Sequence, residues 1–317
     1  MVREKHYFDG LMKTSLPIVY VRSMTSIDLV LTGATRIVLY PANGAKNINM
    51  LRWSELTHIF VNHGESDKIV NISKFLRSYD RVYLAGQMAV DRVLEAGLQL
   101  HDENLIQIGR PQTELTLSIA ENNDFYGDIT VLFAPTWEGF SEAANYTSIS
   151  EQSLQAFSAL LKVKDVRVIF KPHPFTGSAR RELRPLLRKL TDLFNKSANA
   201  EVYGPDTNIH DLMNESDLLV TDVSSVLNDY LYTEKPIIIS NPSKISIDKY
   251  HQLFPSTRAA YVLKSEMSDL VVRILEIKEC DPLRARRLET KRHSLGDWPQ
   301  GALQRFNEQL ARDYDTP

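Results

Sequence analysis

Chemically useful side chains follow four of the apolar runs in this chain, at the points where the runs end. They are His63, Trp137-Glu138, His173 and Ser224-Ser225, and the runs before them are HIFVN (58–62), ITVLFAP (129–135), VRVIFKP (166–172) and DLLVTD (217–222). Histidine exchanges a proton near neutral pH, and small hydroxyls at the start of a helix bind phosphate oxygens. The set predicts a site that combines proton transfer with phosphate binding.

The apolar runs alternate with amphipathic stretches, which predicts an α/β fold with mainly parallel sheets. The predicted strands are 18–21, 36–40, 58–62, 81–86, 129–135, 166–172, 217–222 and 236–240. The predicted helices include 87–96, 150–161, 181–194 and 226–233. In open parallel sheets, ligands bind beyond the carboxyl ends of the strands, so we expect these four clusters to lie at such ends.

The polar, turn-rich segment ENNDFYGD (121–128) predicts a boundary between two domains. We expect an N-terminal domain over 1–128 and a C-terminal domain over 129–285, each of ordinary domain size. Residues 286–317 are predicted to form a helical segment that packs back on the N-terminal domain. The many Arg and Lys side chains near this end are either a solvated helix face or a surface for an anionic membrane.

The composition is typical of a soluble globular protein, with 43% hydrophobic and 24% charged residues. A net charge of −3 argues against nucleic acid as a partner. The single cysteine, Cys280, excludes a disulfide framework and a cysteine-based zinc site. No apolar run reaches the roughly 18 residues of a membrane span, and the first residues, MVREKHYFDG, lack the apolar core of a signal peptide. We therefore expect a cytoplasmic protein, either free or peripheral on the inner face of the membrane.

His63 begins the polar stretch HGESDK (63–68), which has three interpretations. It is a plain surface turn, or it presents a catalytic histidine. In the third interpretation, His63, Glu65 and Asp67 share one face of a continued strand and bind a metal ion. Gly64 disfavours the metal site, because glycine is uncommon inside a strand and permits a sharp turn with close approach of a ligand.

Two further segments each have a structural and a functional interpretation. In VIFKPHPF (168–175), prolines fix the backbone around His173, which either bonds to nearby backbone or is pre-positioned for a ligand beside Lys171. In TDVSSVLND (221–229), Ser224 and Ser225 precede an apolar helical pattern and either cap that helix or bind phosphate at its N-terminus. Each segment alone leaves both interpretations open.

In their order along the chain, these segments resemble the CDP-glycerol glycerophosphotransferase family, of the teichoic-acid polymerase type. Members of that family look like WHGTPLK, APTW, HP and TDYSSxxxD at corresponding points. The resemblance spans about residues 58–240. The matching residues are His63, Gly64, Lys68, Ala134 to Trp137, His173, Pro174, Thr221, Asp222, Ser224, Ser225 and Asp229.

The resemblance implies a GT-B architecture, in which two Rossmann-like domains with mainly parallel sheets face each other across a cleft. It implies that His63 is the base that deprotonates an acceptor hydroxyl, and that His173 stabilises charge on the donor phosphate. The implied acceptor-side residues are Gly64, Glu65, Asp67 and Lys68. The implied donor-binding residues are Thr136, Lys171, Thr221, Asp222, Ser224, Ser225 and Asp229.

On this resemblance, the chain is expected to transfer a polyol phosphate, with glycerol phosphate as the first choice. The donor is a CDP-polyol, the acceptor is a hydroxyl of a cell-envelope polymer or lipid-linked molecule, and CMP is released. No cofactor is implied, and the use of a divalent cation is left open. The competing interpretations are a GT-B glycosyltransferase that uses a nucleotide sugar and a binding module that has lost catalysis.

Two departures beside His63, and the lack of the family's acidic DLEEY-type stretch after Ser240, set this chain apart from the family pattern. Asn62 stands where the family has tryptophan, and Glu65-Ser66-Asp67 stands where it has Thr-Pro-Leu. These changes indicate a divergent branch of the family, and an actinobacterial branch is one candidate. The two acids are suited to a polyol or a cation, so the acceptor side is where we expect this protein to differ from its relatives.

Overall fold

The computed structural model describes residues 1–9, 11, 14–43, 45–68, 73–120, 127–139, 141–142, 145–242, 245–263 and 267–315. Most of the predicted boundary segment, residues 121–126, lies outside this described part. On each side of it the chain forms one parallel sheet with flanking helices. The prediction of an α/β fold with two mainly parallel sheets is confirmed.

The first sheet has four parallel strands in the order β1-β2-β3-β4. They are β1 (Ile37–Tyr40), β2 (Thr57–Phe60), β3 (Arg81–Leu84) and β4 (Leu105–Gln107). Ile59 and Val82 are fully buried, as expected for parallel strands that are covered on both faces. Because all four strands point the same way, their carboxyl ends share one edge of the sheet.

The second sheet has six parallel strands in the order β10-β9-β8-β5-β6-β7. They are β5 (Ile129–Ala134), β6 (Val166–Phe170), β7 (Ala200–Val202), β8 (Leu218–Thr221), β9 (Ile237–Ile239) and β10 (Tyr261–Val262). In the core, the ring of Phe133 stacks on Phe157 with centroids 4.1 Å apart. The strand order reverses between β5 and β8, and such a reversal opens a crevice for ligands at the carboxyl ends.

Twelve α-helices connect and cover the strands within the described residues. They are α1 (Lys5–Asp9), α2 (Ala45–Ile48), α3 (Gln87–Glu95), α4 (Pro111–Thr116), α5 (Glu151–Leu160), α6 (Leu183–Asn195), α7 (Ile209–Glu215), α8 (Ser225–Tyr230), α9 (Ile247–Leu253), α10 (Leu270–Glu279), α11 (Arg284–Leu295) and α12 (Ala302–Asp315). A capping box formed by Ser150 and Ser153 fixes the start of α5. None of the described helices is both long and apolar enough to cross a membrane.

The strand predicted at 18–21 is wrong. In this segment Tyr20 makes an isolated bridge with Val2, and Ile18 and Val19 are 38% exposed. An apolar run forms a strand only where a neighbouring strand pairs with it, so tertiary context overrides the local pattern. Conversely, the sequence pattern does not reveal β4, β7 and β10. All three are edge strands of two or three residues, which are too short to show a hydrophobic period.

The C-terminal helices contact the first half of the chain. Tyr83 of β3 donates a hydrogen bond to Asp313 of α12, and His293 of α11 lies 2.8 Å from Asp91 of α3. The basic character of α11 is only partly a solvated face, because Arg287 is fully buried and pairs with Asp281. The contacts of Tyr83 and Asp91 hold the C-terminal helices against the first half of the chain.

Candidate active site

A cavity of about 460 Å³, here called the cleft, lies between the two sheets. It is lined by residues that follow β2, β5, β6 and β8, and it therefore includes the reversal point of the second sheet. Eight of the thirteen predicted site residues line it: His63, Gly64, Lys68, Thr136, Lys171, His173, Ser224 and Ser225. The other five are Glu65, Asp67, Thr221, Asp222 and Asp229, and they lie behind or beside the cleft.

His63 has the tautomer that a general base requires. Its Nδ1 lies 2.7 Å from the backbone oxygen of Pro41. A carbonyl oxygen only accepts hydrogen bonds, so Nδ1 carries the proton and Nε2 is the acceptor of the neutral ring. The preceding Asn62 has a φ of 53° and accepts a hydrogen bond from the N–H of His63. Asparagine tolerates this left-handed conformation, which turns the chain so that the exposed histidine reaches the cleft.

His173 has the opposite tautomer. The backbone N–H of Phe175 donates to its Nδ1 at 3.1 Å, which leaves Nε2–H as a donor. The imidazole stacks on Trp137 with ring centroids 5.9 Å apart. Burial, assisted by the positive charges of Lys68 and Lys171, lowers the pKa of His173 from 6.5 to about 4. The ring is therefore neutral at neutral pH and offers a hydrogen-bond donor to a ligand.

Glu138 fastens the loop that follows His173, a role that sequence reasoning does not assign. Its fully buried carboxylate accepts hydrogen bonds from the backbone N–H groups of Gly177, Ala179 and Arg180, each at 2.9 Å. Burial raises the pKa of Glu138, but these backbone donors outweigh burial and lower it overall. An acid that directly follows an apolar strand and a tryptophan is the only sequence signal of this anchor.

Two lysines bring positive charge into the cleft. Lys171 donates to the backbone oxygen of Gly204 at 2.7 Å, and Lys68 donates to Thr136 Oγ1 at 2.7 Å. Burial lowers the pKa of both lysines, that of Lys68 from 10.5 to about 8. Lys68 thus crosses from the first half of the chain to a predicted donor-binding residue of the second half. Desolvated ammonium groups are favourable partners for phosphate oxygens.

Ser224 presents an unsatisfied hydroxyl to the cleft. It occupies the N-cap position of α8 without making the cap hydrogen bond. Its Oγ is buried and has no hydrogen-bond partner in the described structure. A buried polar group left without a partner costs about 1–3 kcal/mol, so the hydroxyl is set up for a ligand. Ser225, the first residue of α8, lines the cleft beside it.

Gly64 is required by a contact inside the protein. A Cβ at this position would lie 3.0 Å from the Cβ and 3.2 Å from the Oγ of Ser225. The structure shows a close approach of α8 at Gly64, which also lines the cleft. The absent side chain allows the loop that carries His63 to lie against the helix that carries the serines.

We expect Gly64→Val to lower turnover about 10²-fold, because it pushes the His63 loop away from Ser225 and misplaces the base. Gly33→Val is the matched control, since a Cβ at exposed Gly33 would meet nothing within 4 Å. Product release would be measured for both variants, with their melting temperatures as a check of folding. Equal activity of the two variants would show that the contact at Gly64 is not needed.

Thr221 and Asp222 organise the ends of the strands and do not line the cleft. Thr221 Oγ1 donates to the backbone oxygen of Ala134 at 2.7 Å. Asp222 accepts from the backbone N–H of Thr136 at 2.9 Å and from that of Ser148 at 3.1 Å. Burial raises the pKa of Asp222, and these donors offset the effect only in part. Asp222 positions Thr136, and Thr221 fixes Ala134 at the end of β5, so direct contact of either residue with a donor is not supported by the geometry.

Asp229, also predicted to bind the donor, links the two halves of the chain. Its Oδ1 lies 2.8 Å from Nη2 of Arg110, which directly precedes α4. Its Oδ2 lies 3.6 Å from Nε2 of His210. The carboxylate is engaged by these groups and does not point into the cleft.

Glu65 and Asp67 also point away from the cleft. Asp67 accepts from Arg92 at 3.1 Å and from the backbone N–H of Ser256 at 2.8 Å. Glu65 accepts from the backbone N–H of Ala85 at 2.9 Å. Because the two carboxylates are bound to different partners and His63 faces the cleft, the three side chains do not form a metal-ligand set. The metal interpretation of this stretch is wrong.

Residues 35–261 match the family model described as CDP-glycerol:poly(glycerophosphate) glycerophosphotransferase. The chain belongs to this family. The match runs from just before β1 to the start of β10, so it includes both sheets and all the cleft residues. It confirms the resemblance that the four strand-end segments indicated.

Curated relatives of this glycerophosphotransferase-family chain are teichoic acid enzymes. It is 25% identical over 173 residues to the teichoic acid ribitol-phosphate polymerase TarK of Staphylococcus aureus, and this match covers 51% of this chain and 32% of TarK. It is 26% identical over 191 residues to the teichoic acid ribitol-phosphate primase of Bacillus spizizenii, and this match covers 56% of this chain and 45% of the primase. The matched regions thus cover less than half of each relative.

Solved structures share the fold. A variant of the wall teichoic acid polymerase TagF soaked with CDPG has a TM-score of 0.57 and 15% identity, over 88% of this chain and 73% of TagF. Staphylococcus aureus MnaA in a co-structure with UDP has a TM-score of 0.59 and 13% identity, over 90% of this chain and 77% of MnaA. At such identities the similarity establishes the fold alone. The predicted GT-B-like arrangement of two α/β halves facing a cleft is confirmed.

Proposed function

We propose that this protein transfers a polyol phosphate, glycerol phosphate in the first instance, from a CDP-activated donor to a hydroxyl of a cell-envelope polymer or lipid-linked acceptor. The observation that carries the proposal is the pair of cleft histidines with opposite tautomers. His63 offers an accepting Nε2, and His173 offers a donating Nε2–H. Membership of the glycerophosphotransferase family and the teichoic acid relatives support it.

In the proposed reaction, His63 takes the proton of the acceptor hydroxyl while the hydroxyl oxygen bonds to the β-phosphorus of the donor. The bond between that phosphorus and the oxygen bridging to the α-phosphate breaks, and CMP leaves with the bridging oxygen. The N–H of His173 and the ammonium groups of Lys68 and Lys171 stabilise the negative charge. Ser224 donates its buried hydroxyl to a phosphate oxygen and so gains the partner that it lacks.

The proposal includes a peripheral position on the inner face of the membrane, where a lipid-linked acceptor is presented. Leu16 is 72% exposed and Leu29 is 86% exposed, so both side chains are available for contact with lipid. Co-sedimentation with lipid vesicles tests this part. Recovery of the protein only in the supernatant would remove the membrane position and leave the reaction unaffected.

The identity of the nucleotide product tests the function. The protein would be incubated separately with CDP-glycerol, CDP-ribitol and UDP-glucose, together with a teichoic-acid acceptor, and the nucleotides would be separated by chromatography. Release of CMP supports phosphotransfer, because the bond that breaks lies between the two phosphates. Release of a nucleoside diphosphate would instead show attack on a sugar carbon and would contradict the proposed phosphotransfer. Binding of a CDP-polyol without any release would indicate a binding module.

We expect the affinity for CDP-glycerol to fall about tenfold between about pH 7 and pH 9, because Lys68 loses its proton. Burial lowers the pKa of Lys68 to about 8. Its ammonium form therefore predominates below this value and is lost as the pH rises through it. Calorimetric titration at several pH values measures the effect. Lys68→Met should remove this pH dependence, whereas Lys74→Met, the same change at an exposed position, should retain it. A pH dependence that persists in Lys68→Met would contradict the role of Lys68 in donor binding.

A further inference from the structure

A second cavity, of about 150 Å³, lies beside the cleft and is here called the side cavity. The loop after β2 separates the two cavities. Val61, Asn62 and Glu65 face the side cavity, whereas His63 and Gly64 face the cleft. An engineered cavity of about this volume in another protein holds a benzene molecule. The side cavity therefore has room for a ligand unit of about six non-hydrogen atoms, next to the proposed base.

The side cavity contains hydrogen-bonding groups of both kinds. Glu65 is 5% exposed, and in the described structure its carboxylate receives one hydrogen bond, from Ala85 N–H to Oε1. Burial raises the pKa of Glu65, and the charges of Arg92 and Arg110 offset this only in part. A carboxylate accepts up to about four hydrogen bonds, so this buried group has unused capacity. Asn62 adds amide donors, and Arg110 adds guanidinium N–H groups.

The remaining wall of the side cavity is mainly apolar and aromatic, with Gln112 as a further polar residue. Tyr83, Ile108 and Phe306 line it, and the rings of Tyr83 and Phe306 meet edge to face with centroids 5.9 Å apart. An apolar and aromatic lining with a few polar groups is the usual make-up of a small-molecule pocket. Here the wall suits the C–H face of a short carbon chain or ring, and the polar groups suit its hydroxyls, which both donate and accept.

The charges disfavour a phosphate in the side cavity. The Arg110 guanidinium is already paired with Asp229 through two N–H groups. Glu65 adds either negative charge or, in the protonated form that burial favours, no charge, so among the described lining residues an anion finds no unpaired cation. A neutral ligand needs no such cation and exchanges hydrogen bonds with Glu65.

We propose that the side cavity binds a neutral, hydroxyl-bearing unit of the acceptor, a polyol or sugar, beside the hydroxyl that His63 deprotonates, and that Glu65 selects hydroxyl groups over phosphate. Naming the bound unit as part of the acceptor rests on the proposed function. Asn62 and Glu65 are two of the positions at which the chain departs from the family pattern, and both line this pocket.

Saturation-transfer NMR on the full chain tests the proposal, with glycerol, ribitol and glycerol 3-phosphate as probes. We expect the wild type to bind both neutral polyols and to bind glycerol 3-phosphate more weakly. Glu65→Gln should weaken polyol binding about tenfold. It should also reduce the difference in affinity between the neutral polyols and glycerol 3-phosphate. Val61→Phe should abolish polyol binding by filling the cavity while it keeps the carboxylate. Glu95→Gln, the same change at an exposed site on α3, should have no effect.

Tighter binding of glycerol 3-phosphate than of glycerol by the wild type would overturn the proposal, and this comparison needs no variant. Equal polyol binding by the wild type and a folded Glu65→Gln would also overturn it. Calorimetry with CDP-glycerol on the same proteins separates this failure from failure of the proposed function. If the protein binds CDP-glycerol but no polyol, only the side-cavity proposal is rejected. If it binds polyols in a way that depends on Glu65 but does not bind CDP-glycerol, the proposed function is rejected and the polyol site stands.

Discussion

His63→Asn is expected to lower the rate of CMP release in the presence of acceptor by about 10²- to 10⁴-fold, the usual contribution of a positioned general base. Asparagine retains a side-chain N–H for the backbone oxygen of Pro41, the partner of His63 Nδ1. It lacks the nitrogen that accepts the proton from the hydroxyl. The loss should therefore appear in kcat, while the affinity for CDP-glycerol measured by calorimetry should stay close to that of the wild type.

The matched control for this variant is His101→Asn, which makes the same change at an exposed position outside the cleft. We expect the control to keep full activity. A His63→Asn protein that releases CMP at the wild-type rate would show that another group accepts the proton. A loss of both donor binding and thermal stability would show instead that the substitution has disturbed the loop.

His173→Ala is expected to reduce turnover by about 10²- to 10³-fold, as does the removal of one pre-organised donor to a developing negative charge. The pKa of His173 is about 4, because burial and two lysines disfavour the imidazolium form. The ring protonates only as the pH falls through that value, so between about pH 6 and pH 8 it acts as a neutral donor. The pH profile of the wild type in this range should therefore not follow the titration of His173.

His173→Gln distinguishes hydrogen bonding from packing. Glutamine retains a side-chain N–H but cannot reproduce the stacking on Trp137 that imidazole makes. We expect it to recover part of the activity lost in His173→Ala, measured as CMP release at saturating donor. Equal losses in the two variants would indicate that His173 acts by packing against Trp137. Activity at the wild-type level in His173→Ala would remove the residue from the mechanism.

The fold class and most of the cleft can be read from the sequence. Parallel strands that are covered on both faces must be apolar along their length, so β2, β5, β6 and β8 appear as apolar runs. Polar residues directly after such runs fall at the carboxyl ends of the strands, where α/β sheets bind ligands. This reasoning places His63, His173 and Ser224 at the carboxyl ends of strands, but the meeting of His63, which follows a strand of the first sheet, with the other two depends on the packing between the halves.

The roles of the individual side chains depend on partners that are distant in sequence. Asp67 is engaged by Ser256, and Asp229 by Arg110, across separations of 189 and 119 residues. Local pattern cannot distinguish a carboxylate that faces a cleft from one that faces such a buried partner. Gly64 likewise lies against Ser225 of the other half, whereas Glu65 is bound to Ala85 of its own half.

The complementary chemistry of the two histidines also requires the folded backbone. The carbonyl of Pro41 fixes the proton on Nδ1 of His63, whereas the N–H of Phe175 fixes it on Nε2 of His173. The residue type is the same at both positions, so a motif alone cannot separate a base from a donor. The sequence places two imidazoles at the cleft. The backbone groups that meet each ring in three dimensions give the rings opposite roles, because Nδ1 of His63 donates to a carbonyl oxygen and Nδ1 of His173 accepts from an N–H.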